Sequence, residues 1–376
     1  MRYLARLTCL VMFWSGTATA EDPTVPWITT KQRLTILSAN DAVPRDSITV
    51  VHLGPDHPPI VKTVFSTVPN TIAGSPYMAM TADGHYGFVT NWLPGKPDDH
   101  PGNMISVIDL SSPQLSVLQK VRVPHPQMAV MHPDGKRLIV PCANGFGVFQ
   151  MRDSRLVSVK DNPATIGGSI DISPSGDRVV ATGKSTDGGG ALHVFQYDNG
   201  VIKHLAEIQV RAGLPAISGP FSPRFTPDGK YVLSPNGKGL GSKGTLDDVL
   251  LVDMTITPPT VTNVIPQVAD GMESVAVHPQ GKLAVVACLD AHRGYCHLAV
   301  IDLVASPARL LYHLDIEPIP EGMEFSPDGS KLFVGATTAN RIVVFEVDGY
   351  MLKRSPFVIR VGHGPSSMAI GPRFMN

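Results

Sequence analysis

Two glutamates, Glu273 and Glu321, each stand eight residues before the glycine of a Pro-x-Gly turn, and the two turns are consecutive copies of one repeat. Two carboxylates brought together can bind a divalent cation, or one can act as a base with its pKa raised by the other. Both could equally be solvated carboxylates at a rim. Counting eight residues back from the other turns gives Gln127, Gly168 and Phe221, with Ser366 by alignment and Tyr77 in a copy one residue shorter. Three residues further on, where the repeat is usually small or apolar, stand Asp171, Arg224 and Glu324. A charge in such a strand needs a partner. Asp171 and Arg224 could pair, or Arg224 could hold a ligand carboxylate or phosphate. His125 and His363 precede the same strands and are further general-base candidates. Long loops add Trp92, suited to a sugar or aromatic ligand, and Arg293, suited to substrate charge.

These residues are positioned by a repeat that recurs six times. Its turns are Thr81-Ala82-Asp83-Gly84, His132-Pro133-Asp134-Gly135, Ser173-Pro174-Ser175-Gly176, Thr226-Pro227-Asp228-Gly229, His278-Pro279-Gln280-Gly281 and Ser326-Pro327-Asp328-Gly329. Their glycines lie 51, 41, 53, 52 and 48 residues apart. Pro presets φ at a turn corner, Asp or Ser bonds the local backbone, and Gly enters the left-handed region cheaply. Alternating apolar strands on either side make each turn a hairpin. A period of ~40–50 residues with about four short strands per unit predicts an all-β β-propeller. A seventh inner strand at Ser367–Gly371 lacks its three partners, and Arg33–Ser38, Ser47–Leu53 and Ile60–Ser66 have the order and spacing to supply them. The reading is a seven-bladed ring of four-stranded blades, closed by three N-terminal strands and one C-terminal strand. Its turns lie on one face, and the candidate residues above lie around the channel mouth on the other, where loops on a rigid scaffold carry function.

Three stretches carry a family resemblance: Tyr86-Gly87-Phe88-Val89-Thr90-Asn91, the run from Phe325 through Ser326-Pro327-Asp328-Gly329 to Val334, and Ile105-Ser106-Val107-Ile108-Asp109-Leu110. The chain resembles the YVTN-repeat and lactonase-like seven-bladed propellers of exported bacterial proteins over about residues 33–374. That family includes sugar-phosphate lactonases, a carboxymuconate cycloisomerase and non-catalytic subunits of periplasmic dehydrogenases. The resemblance therefore implies a fold and a choice of functions.

Residues 1–20 read as a secretory signal: Arg2 and Arg6, an apolar run Leu7–Trp14, and Ala18-Thr19-Ala20 as a cleavage site. Residues 21–376 then form a single propeller domain, periplasmic or secreted. Removing the leader takes two of 31 basic residues and leaves 29 against 32 acidic ones, a net charge of −3. No polybasic run appears, so nucleic acid is not an expected partner, and no further apolar stretch is long enough to span a membrane. Export into an oxidising compartment makes a Cys288–Cys296 bridge an attractive expectation across a short hairpin loop, with Cys142 left as a small core residue.

Gly239-Leu240-Gly241-Ser242-Lys243-Gly244 spells a dinucleotide fingerprint but has no helix after it. HExxH, CxxC, CxxCH and GxSxG are absent from the sequence, and His and Asp show no metal-ligand spacing. No cofactor is expected, leaving the cation at the mouth as the open alternative. With no recognisable catalytic constellation, the leading expectation is an exported subunit that binds a small ligand or a periplasmic protein partner at the mouth. The alternative is a lactone hydrolase, or a related lyase or isomerase, acting on sugar-derived or acidic substrates.

Overall fold

The computed structural model describes residues 33–38, 47–52, 60–65, 78–91, 103–112, 114–164, 166, 168–186, 189–209, 221–236, 246–289 and 296–371. Tyr77, Trp92, Arg293 and the leader at 1–20 lie outside the described residues.

The chain opens with β1 (Arg33–Ser38), β2 (Ser47–His52) and β3 (Ile60–Phe65). Four-stranded antiparallel sheets follow. The first holds β4 (Met78–Met80), β5 (Tyr86–Asn91), β6 (Met104–Asp109) and β7 (Val117–Arg122). The second holds β8 (Val130–Met131), β9 (Arg137–Cys142), β10 (Gly145–Arg152) and β11 (Arg155–Pro163). In the third are β12 (Ile170–Ile172), β13 (Arg178–Lys184), β14 (Gly190–Asp198) and β15 (Val201–Gln209). The fourth has β16 (Arg224–Phe225), β17 (Tyr231–Asn236), β18 (Asp247–Asp253) and β19 (Thr260–Ala269). The fifth has β20 (Met272–Val277), β21 (Leu283–Cys288), β22 (Cys296–Asp302) and β23 (Arg309–Ile316). The sixth has β24 (Pro320–Phe325), β25 (Lys331–Ala336), β26 (Arg341–Asp348) and β27 (Met351–Arg360), and β28 (Pro365–Gly371) ends the described chain.

The expected count of seven is corrected to six blades contiguous in the chain, because only six of the inner strands are followed by their own three outer strands. The remaining sheet is composite, in the order β28-β1-β2-β3, with Ile36 opposite Met368 and Leu34 opposite Ile370. Its inner strand β28 touches both β24 and β4, so the ring closes and the inner strands have no open gap between them.

The core is divided among the clefts between neighbouring sheets. Leu298 and Ala287 of the fifth blade meet Phe325 and Phe345 of the sixth; Phe333 and Ile342 of the sixth meet Met368 and Val51 of the composite sheet. The inner strands of the first four blades are short, with β8 and β16 only two residues each, whereas β20 and β24 have six. Cys288 and Cys296 are both free thiols, which corrects the expected bridge. Cys288 faces His297 in register, so Cys296, one residue away, points through the opposite side of the sheet. Cys288 packs with Val286 and Ala299, and Cys296 with Leu298 and Ala287. A bridge between opposite faces is outside disulfide geometry. Burial pushes the Cys142 thiol up to about 12, which leaves it inert.

Candidate functional site at the channel mouth

A recurring backbone device presents the mouth residues. Ten residues before the turn glycine the chain enters the left-handed region: His125 (φ 49), Gly271 (φ 70), Ile319 (φ 58), and Gly364 (φ 61) at the matching place in β28. Two residues later come Gln127, Glu273, Glu321 and Ser366. At the last three the inner strand also slips register. The shifts fall between Met272 and Ser274, between Pro320 and Met323, and at the Leu37/Ser38 step opposite β28, where Ser366 is passed over. A bulge re-aims a side chain and is over-represented beside functional sites. Ile319 is the sharpest case, since a β-branched residue at positive φ is strained.

The glutamates are not solvated rim groups. Glu273 is 9% exposed and Glu321 3%. Burial pushes the Glu273 carboxyl up to about 7, so it exchanges its proton near neutrality. The two blades are stitched here: Ser274 Oγ donates to the carbonyl of Glu321. Gly322 allows the next approach, since a Cβ there would stand 2.9 Å from Ser367 Cα.

Three residues deeper lies a charge network that the sequence only half showed. Arg224 Nε donates to the Val275 carbonyl at 3.1 Å, Nη2 donates to Glu324 Oε1 at 3.2 Å, and Nη1 stands 4.0 Å from Asp171 Oδ1. Asp171 Oδ2 accepts the Phe225 N–H at 2.8 Å. Asp171 and Arg224 thus satisfy backbone groups on the unpaired edge of the next inner strand, which hydrogen-bonded structure requires once that edge is buried. With two carboxylates around it, the Arg224 guanidinium is already neutralised.

The remaining candidates separate. Gln127 is half-buried, and its Oε1 occupies the space a side chain at Gly168 would need. Phe221 packs against the apolar cluster between the second and third blades. His125 is half-buried, whereas His363 is exposed. Among the described residues, no group of three or more His, Cys, Asp or Glu is placed to hold a metal ion.

A device on the opposite face was missed. His132 Nε2 contacts the Gly176 carbonyl at 3.2 Å, and His278 Nε2 contacts that of Gly329 at 3.1 Å, each reaching the next turn. A Cβ on Gly135 would stand 2.5 Å from Ala82 Cβ, and one on Gly329 would stand 2.3 Å from His278 Nε2. Gly135, Gly176 and Gly329 therefore serve both their own turn and its neighbour. The signal was present as His at the first turn position, but its target is in another blade.

No family model matches the chain, and no curated protein does; the YVTN-repeat assignment thus has no sequence-family support. Solved structures do match. The periplasmic gluconolactonase of Pseudomonas aeruginosa is 16% identical, with 91% of this chain and 99% of that one aligned at a TM-score of 0.65. A Bacteroides uniformis protein, described as a candidate 6-phosphogluconolactonase, is 15% identical over 90% and 99% at 0.67. Hydrazine synthase of Kuenenia stuttgartiensis is 18% identical over 80% and 91% at 0.60. At these identities the likeness shows the fold. The chain is a β-propeller. Among the described residues, no helix is long and apolar enough to cross a membrane.

Proposed function

We propose that this propeller hydrolyses a sugar-derived lactone at the channel mouth, with Glu273 as general base. The observation that carries the reading is a buried carboxyl, set by a bulge at the mouth, whose pKa lies at about 7. A base near the working pH is the efficient choice for proton transfer. In the proposed step Glu273 takes a proton from water as its oxygen bonds to the lactone carbonyl carbon. The ring C–O bond then breaks, and the same proton passes to the leaving alkoxide. The product is a hydroxy acid, which ionises. Arg224, already offset by Asp171 and Glu324, is not available to hold a phosphate, which favours an uncharged lactone over a phosphorylated one. The periplasmic gluconolactonase of Pseudomonas aeruginosa, a structural neighbour, fits this class.

The test is proton release from D-glucono-1,5-lactone at constant pH. Purified protein should exceed the uncatalysed rate, and Glu273→Gln should remove the excess. No acceleration, with binding of the sugar retained, would return the molecule to a ligand-binding role. A partner-binding role is favoured by a separate observation. Val304 and Met351, 65% and 61% exposed, lie on the β22–β23 and β26–β27 hairpins of the fifth and sixth blades, which are joined where Tyr312 donates to the Tyr350 carbonyl. Export to the periplasm is part of the proposal, supported by the leader-like residues 1–20; intact-mass analysis should find the mature chain starting at Glu21.

A further inference from the structure

We propose that Ser366 is a third ligand-contacting residue of the mouth and takes a hydroxyl group of an uncharged, polyhydroxylated ligand. This rests on the mouth reading above but concerns a side chain to which that reading gives no role. Ser366 repeats the local geometry of the two glutamates: a left-handed residue two places earlier, Gly364, and a register slip that lifts it out of the strand pairing. Blades five, six and the composite sheet are consecutive around the ring, so Glu273, Glu321 and Ser366 occupy one register on three neighbouring inner strands. A ligand that reaches the first two reaches the level of the third.

The second observation is independent of that geometry. Ser366 is fully buried, yet its Oγ has no hydrogen-bond partner among the described residues. A buried hydroxyl left unpaired costs free energy and calls for an explanation. Neighbouring groups show that partners were within reach of this architecture: Ser274 Oγ is used against Glu321, and Thr337 Oγ1 donates to the Pro365 carbonyl at 2.8 Å. A serine hydroxyl can donate and accept at once, which suits a sugar hydroxyl, whereas a carboxylate pair alone can only accept when ionised. The neutralised Arg224 beneath adds no charge for an anion.

The experiment compares Ser366→Ala with Ser106→Ala, which removes another buried hydroxyl without a partner from β6, away from the inner strands. D-glucono-1,5-lactone is the substrate, the uncharged polyol D-glucitol the binding probe for calorimetry, and thermal melting the control. Ser366→Ala should raise KM, or the glucitol Kd, about five- to tenfold, the loss expected for one hydrogen bond. Its kcat should stay within about twofold and its Tm should not fall, since no protein partner is stranded. Ser106→Ala should leave KM and Kd unchanged. If Ser366→Ala keeps wild-type KM and Kd while Glu273→Gln and Glu321→Gln lose turnover, the inference falls and the mouth reading stands. Full function in all three mouth variants overturns both, as does wild-type protein that neither turns over the lactone nor binds glucitol.

Discussion

Arg224 and Glu324 are separated by 100 residues and by a whole intervening blade, yet Nη2 and Oε1 stand 3.2 Å apart. The guanidinium crosses the inner end of β20, giving Nε to the Val275 carbonyl on the way. Asp171 on the other side completes a network spanning the third to the sixth blade. Truncating one member of such a buried set strands the others. Arg224→Ala should therefore cost about 3–5 kcal/mol, read as a lower denaturation midpoint, whereas Glu324→Gln should cost less because its side chain is partly exposed. A melt of Arg224→Ala matching wild type would show that the network carries no stability.

Glu273 gives a pH signature. Its folded pKa, about 7, lies above the ordinary value of 4.5, so the neutral form is favoured by folding. That stabilisation is complete below about pH 4.5 and is lost as pH rises through 7, amounting to up to about 3 kcal/mol. Glu273→Gln should flatten this slope and be the more stable protein at pH 8. Parallel stability–pH curves for the two proteins would refute the burial argument. Turnover should rise with pH through the same window, since the base must be ionised.

Gly329 and Gly349 both have positive φ, +74 and +59, but a Cβ meets His278 only at the first and nothing within 4 Å at the second. Gly349→Ala should cost about 1 kcal/mol, the penalty of the backbone alone. Gly329→Ala should cost distinctly more, because the His278 contact to the neighbouring turn is displaced as well. Equal costs in chemical denaturation would mean that the turns do not support one another.

Removing residues 366–376 deletes most of β28, leaves β1 without its inner partner and strips the packing contact from β24 of the sixth blade. The truncated chain should melt at a lower temperature and with a broader transition than its length suggests. A sharp transition at the wild-type temperature would contradict ring closure by the two chain ends.

Both Cys288 and Cys296 should be alkylated when the oxidised protein is unfolded without reductant, since each thiol faces a different cleft. Peptide mapping that recovers them as a linked pair would overturn this.

Much of the fold was legible because its signals are local. Pro-Asp-Gly and its variants specify a hairpin within four residues, and six recurrences with alternating apolar strands specify blades. The same turn glycines supplied a ruler: counting back eight residues found Glu273 and Glu321, and alignment with those strands gave Ser366. The charges at Asp171, Arg224 and Glu324 could be recognised as anomalous in an inner strand by the same count. The cysteines misled because register across their loop, and not distance along the chain, decides which face each thiol takes.

The sequence by itself determined the repeat, the strand order and the register of the mouth, since all three follow from periodicity and turn chemistry. Only the tertiary structure decided that Arg224 reaches Glu324 across a blade, that both mouth glutamates are buried, and that the glycines of three turns, Gly135, Gly176 and Gly329, abut a neighbouring turn. Those depend on which backbone groups and side chains closure of the ring brings together, and on how much water it excludes. Neither is a property of any segment read alone.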